Sequence, residues 1–588
     1  MKLSVVIPTF NRCAFLERTL ATIFNQDFPK DEFEVLVIID GSTDGTAKML
    51  KNLRPPCYLK ILEQPNRGQS AAQNTGLHAA RGQIVLFLDD DDLCDMSLLK
   101  EHVAAHEGVD PIVVFGPVRI AAESPSKLVA DIVRAPTDEY YNGLIEKGPQ
   151  WPHHAYVAPN VSGPRTTFLK CGGFDEGLVG TCVSILSDTD FGLRLWKMGI
   201  QFRYQPTAVV RHFYVKSPTA LVKDAWWYGR NEVLLCRKHP DYRPYSGLAS
   251  LCKGPLWKRL LRLTETRLPL SPEPLLDLMF RVCEKFSWIP MIRRLAKLLL
   301  GRRQAIVMLR SAFRIAGSWK ALRNEFGMRL PVLLYHHVGP INPGTYSSLT
   351  VSPEQFEQQM NWLVRHGYVG ILPSDWQAWR CEGKTLPEKP VLLTFDDAYA
   401  DIATYALPVL RRHGFGAVVF AVTGRIGGTN SWDERRGSGT HQLMSRQQVL
   451  EWARQGIEFG AHSRTHANLT RLTDHELEDE IEGSGIELSK LLGVRATSFA
   501  YPYGTYNETT LNWVRRSFDL AFTVEEGLTD LKSNPYLIQR TMIQPSDSEI
   551  DLACRVRLGW SPLQHLRTRV RLRSRLKHAA KAICGRSR

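Results

Sequence analysis

Short apolar runs rich in β-branched residues alternate with amphipathic stretches through residues 1–235. The runs are Leu3–Ile7, Val35–Ile39 and Ile84–Leu88, and helical spacing lies near Phe15–Phe24 and over Gln69–Ala80. Uncharged strand-like runs separated by helical stretches predict a parallel sheet covered on both faces. A second series begins after Pro331 with Val332–Tyr335, Val391–Thr394, Ala417–Val422, Ile457–Phe459, Thr497–Ala500 and Leu520–Thr523. Helical patterns such as Pro353–His366 and Asp474–Leu492 lie between these runs. Repeated βα units over about 230 residues predict a (β/α) barrel. Between the two series, 250–329 is Leu/Arg-rich and helical in pattern, interrupted by Pro255, Pro269, Pro272, Pro274 and Pro290. The expected organisation is α/β: a nucleotide-binding type of domain over 1–250, a basic helical linker over 251–329, a barrel over 330–560 and a basic tail over 561–588.

At 588 residues the chain is too long for one hydrophobic core. No apolar stretch approaches the roughly 18–20 residues of a membrane span. The opening Met1–Pro8 runs straight into a strand pattern without signal-peptide anatomy, so a cytoplasmic location is expected. Eleven cysteines scattered from Cys13 to Cys584, with no C-x-x-C pair, point to reduced thiols rather than a disulfide framework or a zinc cage.

The net charge of +14 is unevenly placed. Residues 253–329 hold 17 Lys/Arg against 5 Asp/Glu, and 567–588 hold nine Lys/Arg and no acid, which leaves the remainder at −7. No helix-turn-helix, finger or RNA-binding signature accompanies this charge, so no nucleic-acid partner is expected. Ile292, Leu295 and Leu299 can share one helix face flanked by Arg293, Arg294 and Lys297. Such a face suits either peripheral contact with an anionic membrane surface or packing on a neighbouring domain.

Three acidic clusters follow strand-like runs in the N-terminal half, where open parallel sheets bind ligands. Asp40 opens the turn Asp40-Gly41-Ser42-Thr43-Asp44-Gly45, and its carboxylate can accept from a base N–H. Asp89-Asp90-Asp91-Asp92 ends a buried strand, where four acids repel one another unless a cation joins them. A divalent ion bridging such a carboxylate and a diphosphate resolves that conflict. Asp188 and Asp190 form the third cluster, from which a carboxylate can take an acceptor hydroxyl's proton. Singly, each cluster has a plain structural explanation as a turn or a solvated loop.

Taken in order, Val5-Val6-Ile7-Pro8-Thr9-Phe10-Asn11-Arg12, the Asp40 turn, Asn74-Thr75-Gly76, Phe87–Asp92 and Gly172-Gly173-Phe174-Asp175-Glu176 resemble the family-two inverting glycosyltransferases of GT-A fold, a Rossmann-like nucleotide-sugar fold. The resemblance implies a nucleotide-diphosphate sugar donor, Mg²⁺ or Mn²⁺, and a glycan or lipid-linked acceptor. By it, Thr9 and Asp40 hold the nucleoside, Asp89 and Asp91 form the D-x-D that meets ribose and metal, and Asp188 is the base. Ile39, Gln73 and Ser187 stand where the family usually has an acid, an Arg and a Glu.

In the C-terminal half Thr394-Phe395-Asp396-Asp397 ends an apolar run, and His462-Ser463-Arg464-Thr465-His466 follows another. Two imidazoles and one carboxylate make a three-ligand set for Zn²⁺ or a similar ion that leaves positions open for water and substrate. The other Asp is then available as a base, and the ion would polarise an amide carbonyl. With Ala500-Tyr501-Pro502-Tyr503-Gly504 the set resembles the polysaccharide deacetylase family, carbohydrate esterase family four with NodB homology, over about 330–545. The resemblance implies that Asp397, His462 and His466 bind metal, that Asp396 is the base, and that the backbone N–H of Tyr503 helps hold the oxyanion. Ala500 replaces the family's usual Arg, and no late Leu-x-His is present. Leu333-Leu334-Tyr335-His336-His337-Val338 resembles the rearranged branch acting on poly-N-acetylglucosamine, in which an early histidine is the acid. His336 is expected in that role, with His337 as its structural neighbour.

The expectation is a bifunctional enzyme of glycan biosynthesis that transfers a sugar with inversion and removes N-acetyl groups from an N-acetylhexosamine-containing glycan. Two alternatives are a deacetylase whose transferase half serves as a sugar-binding module and a non-catalytic membrane scaffold.

Overall fold

The computed structural model describes residues 1–108, 111–124, 127–148, 159–178, 185–252, 273–341, 349–432, 440–564 and 566. The chain divides into two compact units, Met1–Leu322 and Arg323–Arg588.

The first unit contains β1 (Leu3–Thr9), β2 (Phe33–Asp40), β3 (Tyr58–Gln64), β4 (Ile84–Phe87), β5 (Asp92–Cys94), β6 (Ile112–Phe115), β7 (Val118–Ile120), β8 (Val161–Pro164), β9 (Gln201–Tyr204) and β10 (Val210–His212). Seven of them form one sheet in the order β3-β2-β1-β4-β8-β6-β9. Alternation along the strands gives the sheet two buried faces. Val6, Leu36 and Ile38 enter one core, while Val5, Ile7, Val35 and Val37 enter the other. The sheet is not wholly parallel, because β8 runs antiparallel to both β4 and β6. Its sequence, Val-Ser-Gly-Pro, carries no apolar run to announce it. Helix Gln69–Ala79 lies so close to the sheet that a Cβ on Gly76 would overlap Val6 and Ile38. That explains the Gly of Asn74-Thr75-Gly76. Asn74 exchanges hydrogen bonds with the backbone of Phe174, donating at 3.0 Å and accepting at 2.8 Å, and so ties the Gly172–Phe174 turn to the helix.

A small sheet, β5-β10-β7, positions part of the site, because its register sets His212 opposite Asp92. Helix Pro290–Ala316 packs Ala296, Leu300 and Val307 into one core with Val222 and Ala225 of helix Pro218–Lys238. The face of Ile292, Leu295 and Leu299 is a different one: Leu295 and Leu299 are exposed and Ile292 is half-buried. Residues 253–272 and 567–588, which carry much of the basic charge, lie outside the described residues.

The second unit is a deformed (β/α) barrel built on an eight-stranded sheet. Its order is Leu520–Phe522, Ser498–Ala500, Glu458–Ala461, Ala417–Ala421, Pro390–Phe395, Val332–Tyr335 and Thr541–Met542, with Val369–Ile371 also paired to Pro390–Phe395. Every pairing is parallel. Buried side chains such as Leu393, Phe395, Val419, Phe459 and Phe499 join one core with the surrounding helices. Nine cysteines among the described residues are free. Among the described residues no helix is long and apolar enough to cross a membrane.

Candidate active sites

In the first unit the acids converge after β4. One donor atom each from Asp89, Asp91 and His212 lies within 4.8 Å of the others. Asp90 accepts from Thr9 Oγ1 at 2.8 Å and forms an ion pair with Arg12, whose Nε lies 2.9 Å away. The Arg12 guanidinium also pairs with Asp91. Burial raises the Asp89 carboxyl well above its usual range, and Asp92 and Asp91 push it further. Burial likewise lifts Asp90 to about 7, although Arg12 opposes it. Burial alone would lower His212, but Asp91 and Asp92 outweigh it and raise the imidazole to about 9. Asp89, Asp91 and the His212 imidazole form a mixed oxygen and nitrogen donor set. That set fits a divalent ion, which removes the mutual repulsion.

Asp40 is buried and accepts from Gln64 Nε2 at 2.8 Å, Arg67 N at 2.9 Å and Gly68 N at 2.8 Å. It therefore fixes the Arg67-Gly68 turn, next to which Gln69 donates to Asp89 at 2.9 Å. Thr9 is also buried and directed at Asp90. Asp188 and Asp190 open helix Ser187–Lys197, after Leu186 in a left-handed conformation (φ 68°). Asp190 is fully buried and held by Arg194 at 2.8 Å, Lys238 at 2.7 Å and His239 at 2.9 Å. Burial opposes its ionisation, but these three partners hold its carboxyl far below the usual range. Asp188 is only half-buried, and its charge reaches the phenols of Tyr140 and Tyr242. A cavity of about 390 Å³, lined by Tyr140, Tyr141, Tyr214, Pro136 and His212 among others, lies beside the Asp89/Asp91/His212 group. Trp226 and Trp227 pack into hydrophobic clusters rather than into this cavity.

In the second unit Asp396 and Asp397 follow strand Pro390–Phe395, and the His462–His466 loop follows strand Glu458–Ala461. The two imidazoles meet through loop geometry and not through a helical turn. Ser463 and His466 adopt left-handed φ of 58° and 64°, and Ser463 Oγ accepts from His466 N at 3.0 Å. Glu480 accepts from the backbone N–H groups of Arg464 and Thr465 at 3.0 and 2.9 Å, which pins the loop between them. Asp397 Oδ1 lies 3.5 Å from His462 Nε2 and 3.3 Å from His466 Nε2. His462 Nδ1 lies 2.7 Å from the Ala500 carbonyl, an orientation that turns Nε2 toward Asp397. Burial lowers the His462 pKa, so the ring is neutral as a metal ligand must be. Donor types, convergence and orientation fit one divalent ion.

Asp396 is fully buried and accepts two parallel hydrogen bonds from Arg540, at 2.6 and 2.8 Å. Burial would raise its pKa, but Arg540 and then His462 outweigh it and bring the carboxyl to about 2. Burial lowers His336 to about 4 even though Asp396 pulls the other way. The imidazole is therefore neutral at pH 7, and it can act as an acid only on a proton gained during turnover. His337 points elsewhere, with Nδ1 2.7 Å from Asp401 and its ring stacked on Tyr399 at 3.6 Å. Tyr503 stands edge-on to His466 at 4.6 Å with a left-handed φ of 59°. Trp432 stacks on the His466 ring at 4.7 Å.

Sequence reasoning did not find His212, Arg540 or Arg12. Each lies far along the chain from the carboxylate it meets, and strand pairing or the return of a later segment brings them together. The vacant Arg position at Ala500 was the signal for Arg540: a buried Asp396 needs a guanidinium from somewhere.

Residues 4–162 match Glycosyl transferase family 2, and residues 383–518 match the Polysaccharide deacetylase family. Asp188, His212, His336 and Arg540 lie outside those matched ranges. YxkH of Bacillus subtilis (strain 168), whose name assigns it provisionally to the polysaccharide deacetylases, is 29% identical over 228 residues, covering 39% of this chain and 76% of its own. The uncharacterized glycosyltransferase YfnE of the same organism is 29% identical over 292 residues, covering 41% of this chain and 72% of its own. The poly-beta-1,6-N-acetyl-D-glucosamine N-deacetylase of Staphylococcus aureus (strain MRSA252) is 27% identical over 204 residues, covering 33% of this chain and 68% of its own. The chain is a fusion of a family 2 glycosyltransferase domain with a polysaccharide deacetylase domain.

Proposed function

We propose that the first unit transfers a sugar from a nucleotide-diphosphate donor with inversion, and that the second removes N-acetyl groups from the same N-acetylhexosamine-containing glycan. One observation carries this reading: each unit assembles its own Asp/His triad at the ends of sheet strands. A divalent ion at either triad supplies positive charge, to a diphosphate in the first unit and to an amide carbonyl in the second.

In the transferase reading Asp89, Asp91 and His212 hold that ion, Mg²⁺ or Mn²⁺, and Arg12 offsets the remaining acid charge. Asp188, less buried than Asp190, takes the proton of the acceptor hydroxyl. Thr9 and Asp40 support the nucleoside side, Asp40 through the Arg67-Gly68 turn. In the deacetylase reading Asp397, His462 and His466 hold Zn²⁺ or a similar ion. Asp396, kept ionised by Arg540, receives the proton of the attacking water, and His336 relays that proton to the leaving amine. The Tyr503 backbone N–H faces the developing oxyanion. The named activity of the Staphylococcus relative supports an N-acetylglucosamine-type substrate for this half. Fusion raises the effective concentration of one site around the product of the other. A lipid-carried glycan at a membrane surface, reached from the side where nucleotide sugars are made, is the shared substrate that suits both halves.

The test is to incubate purified protein with a panel of nucleotide sugars and N-acetylhexosamine acceptors while following nucleotide release and free acetate together. Both products, each suppressed by chelation, are expected. Acetate without nucleotide release from any donor would reduce the first unit to a binding module.

A further inference from the structure

Nine large apolar side chains stand exposed within 22 residues of the first unit: Leu278, Met279, Val282, Phe286, Trp288, Met291, Leu295, Leu298 and Leu299. They are nine of the 25 exposed large hydrophobic residues among the described residues. A concentration of that kind marks an interaction surface rather than scattered surface apolarity. They lie on two successive helices, Glu273–Lys285 and Pro290–Ala316, and on the turn between them. The second helix has two apolar faces. Ala296, Leu300 and Val307 are buried against the catalytic unit, while Met291, Leu295 and Leu298 repeat at helical spacing on the outside. Trp288 is 75% exposed and Met291 77%.

Exposed cations flank this ridge: Arg281, Lys285, Arg293, Arg294, Lys297 and Arg302. Between Leu278 and Arg302 the sequence contains a single acid, Glu284. An apolar ridge bordered almost wholly by cations is complementary to an interface that is apolar within and negative at its surface.

We infer that the first unit seats on an anionic lipid surface through this ridge, with the apolar side chains entering the acyl boundary and the cations meeting phosphate headgroups. The inference deepens the proposed function by naming where a lipid-carried substrate is met, and it rests on that reading only in this respect. Phe280, Ala296 and Leu300 share a hydrophobic cluster with Tyr214, which lines the cavity beside His212. The ridge is thus built on the scaffold that walls the transferase site.

The experiment is flotation of the full chain with zwitterionic vesicles and with vesicles containing an anionic phospholipid. Wild type is expected to float with anionic vesicles and to release as salt rises. The triple variant Met291→Ser/Leu295→Ser/Leu298→Ser is expected to lose about tenfold or more in partitioning. It should keep nucleotide release and acetate release on water-soluble substrates, which confirms that it folds. A chain lacking 567–588 should still float. Equal flotation of wild type and triple variant would overturn the inference and assign binding to the cationic segments alone. Failure of wild type to float would also overturn it. Conversion of a dimer to a monomer by the triple substitution, read by light scattering, would identify the ridge as a contact between copies. Loss of both catalytic activities in a wild-type chain that still floats would instead count against the proposed function and leave the ridge standing.

Discussion

Asp396 keeps its negative charge in a fully buried position because Arg540 faces it with two parallel N–H donors. Replacing Arg540 by Met leaves that carboxylate unpaired. The second unit should lose about 3–5 kcal/mol in urea unfolding, and acetate release should fall with it. The pH dependence follows from the sign of the shift. A carboxyl lowered from roughly 4 in the unfolded chain to about 2 in the folded one stabilises the fold above pH 4. That contribution disappears as pH falls through 2, and the decline should be missing in Arg540→Met. His336→Ala should reduce deacetylation by about 10²–10⁴-fold while metal content, read by atomic absorption, stays unchanged. Unchanged deacetylation would remove His336 from the site. His212, raised to about 9 by its carboxylate neighbours, holds a proton at pH 7.5 that a metal must displace. Calorimetry in buffers of different ionisation enthalpy should therefore show proton release on Mn²⁺ binding, with affinity rising as pH rises. Sequence made Asp397, His462 and His466 legible because a metal site needs those residue types at strand ends. It could not show Arg540 or His212, whose roles depend on which distant segment comes to lie beside the acid.

At the scale of elements, strands were the most legible part, since buried parallel strands are continuous apolar runs. The antiparallel β8 escaped because Ser162, Gly163 and Pro164 carry no periodic signal and its place depends on β4 and β6. The backbone of the loops around the second triad escaped for a related reason. Asp397, Ala398, Ser463, His466 and Tyr503 all adopt left-handed φ without being glycine. Such conformations cost of order 1–3 kcal/mol each and persist only where the surroundings enforce them. Five of the eight non-glycine residues with positive φ among the described residues lie around the second triad. In helix Ser187–Lys197 the two acids separate by role. Asp190→Asn breaks a buried ionic network and should lower the stability of the first unit by about 3–5 kcal/mol. Asp188→Asn should leave thermal unfolding nearly unchanged while abolishing sugar transfer. Equal loss of stability in both variants would contradict the division.

On the scale of the whole molecule, the chain couples two units with separate cores and separate triads. Charge is uneven as well: cations gather in 253–329 and 567–588, and the rest of the chain is net acidic. The sequence segment expected to be a linker contributes, in its described part, helices packed on the transferase unit, because the buried face Ala296, Leu300 and Val307 needs an apolar partner. Periodicity left packing and membrane contact open as alternatives, since a helix with two apolar faces gives a blurred pattern. The central claim is that two independent ion-dependent reactions reside in one polypeptide. It is tested most directly by measuring nucleotide release and acetate release side by side in Asp91→Asn and His462→Ala. Asp91→Asn should lose nucleotide release and keep acetate release, and His462→Ala should do the reverse. Loss of both activities in either variant, or retention of both, would contradict the account.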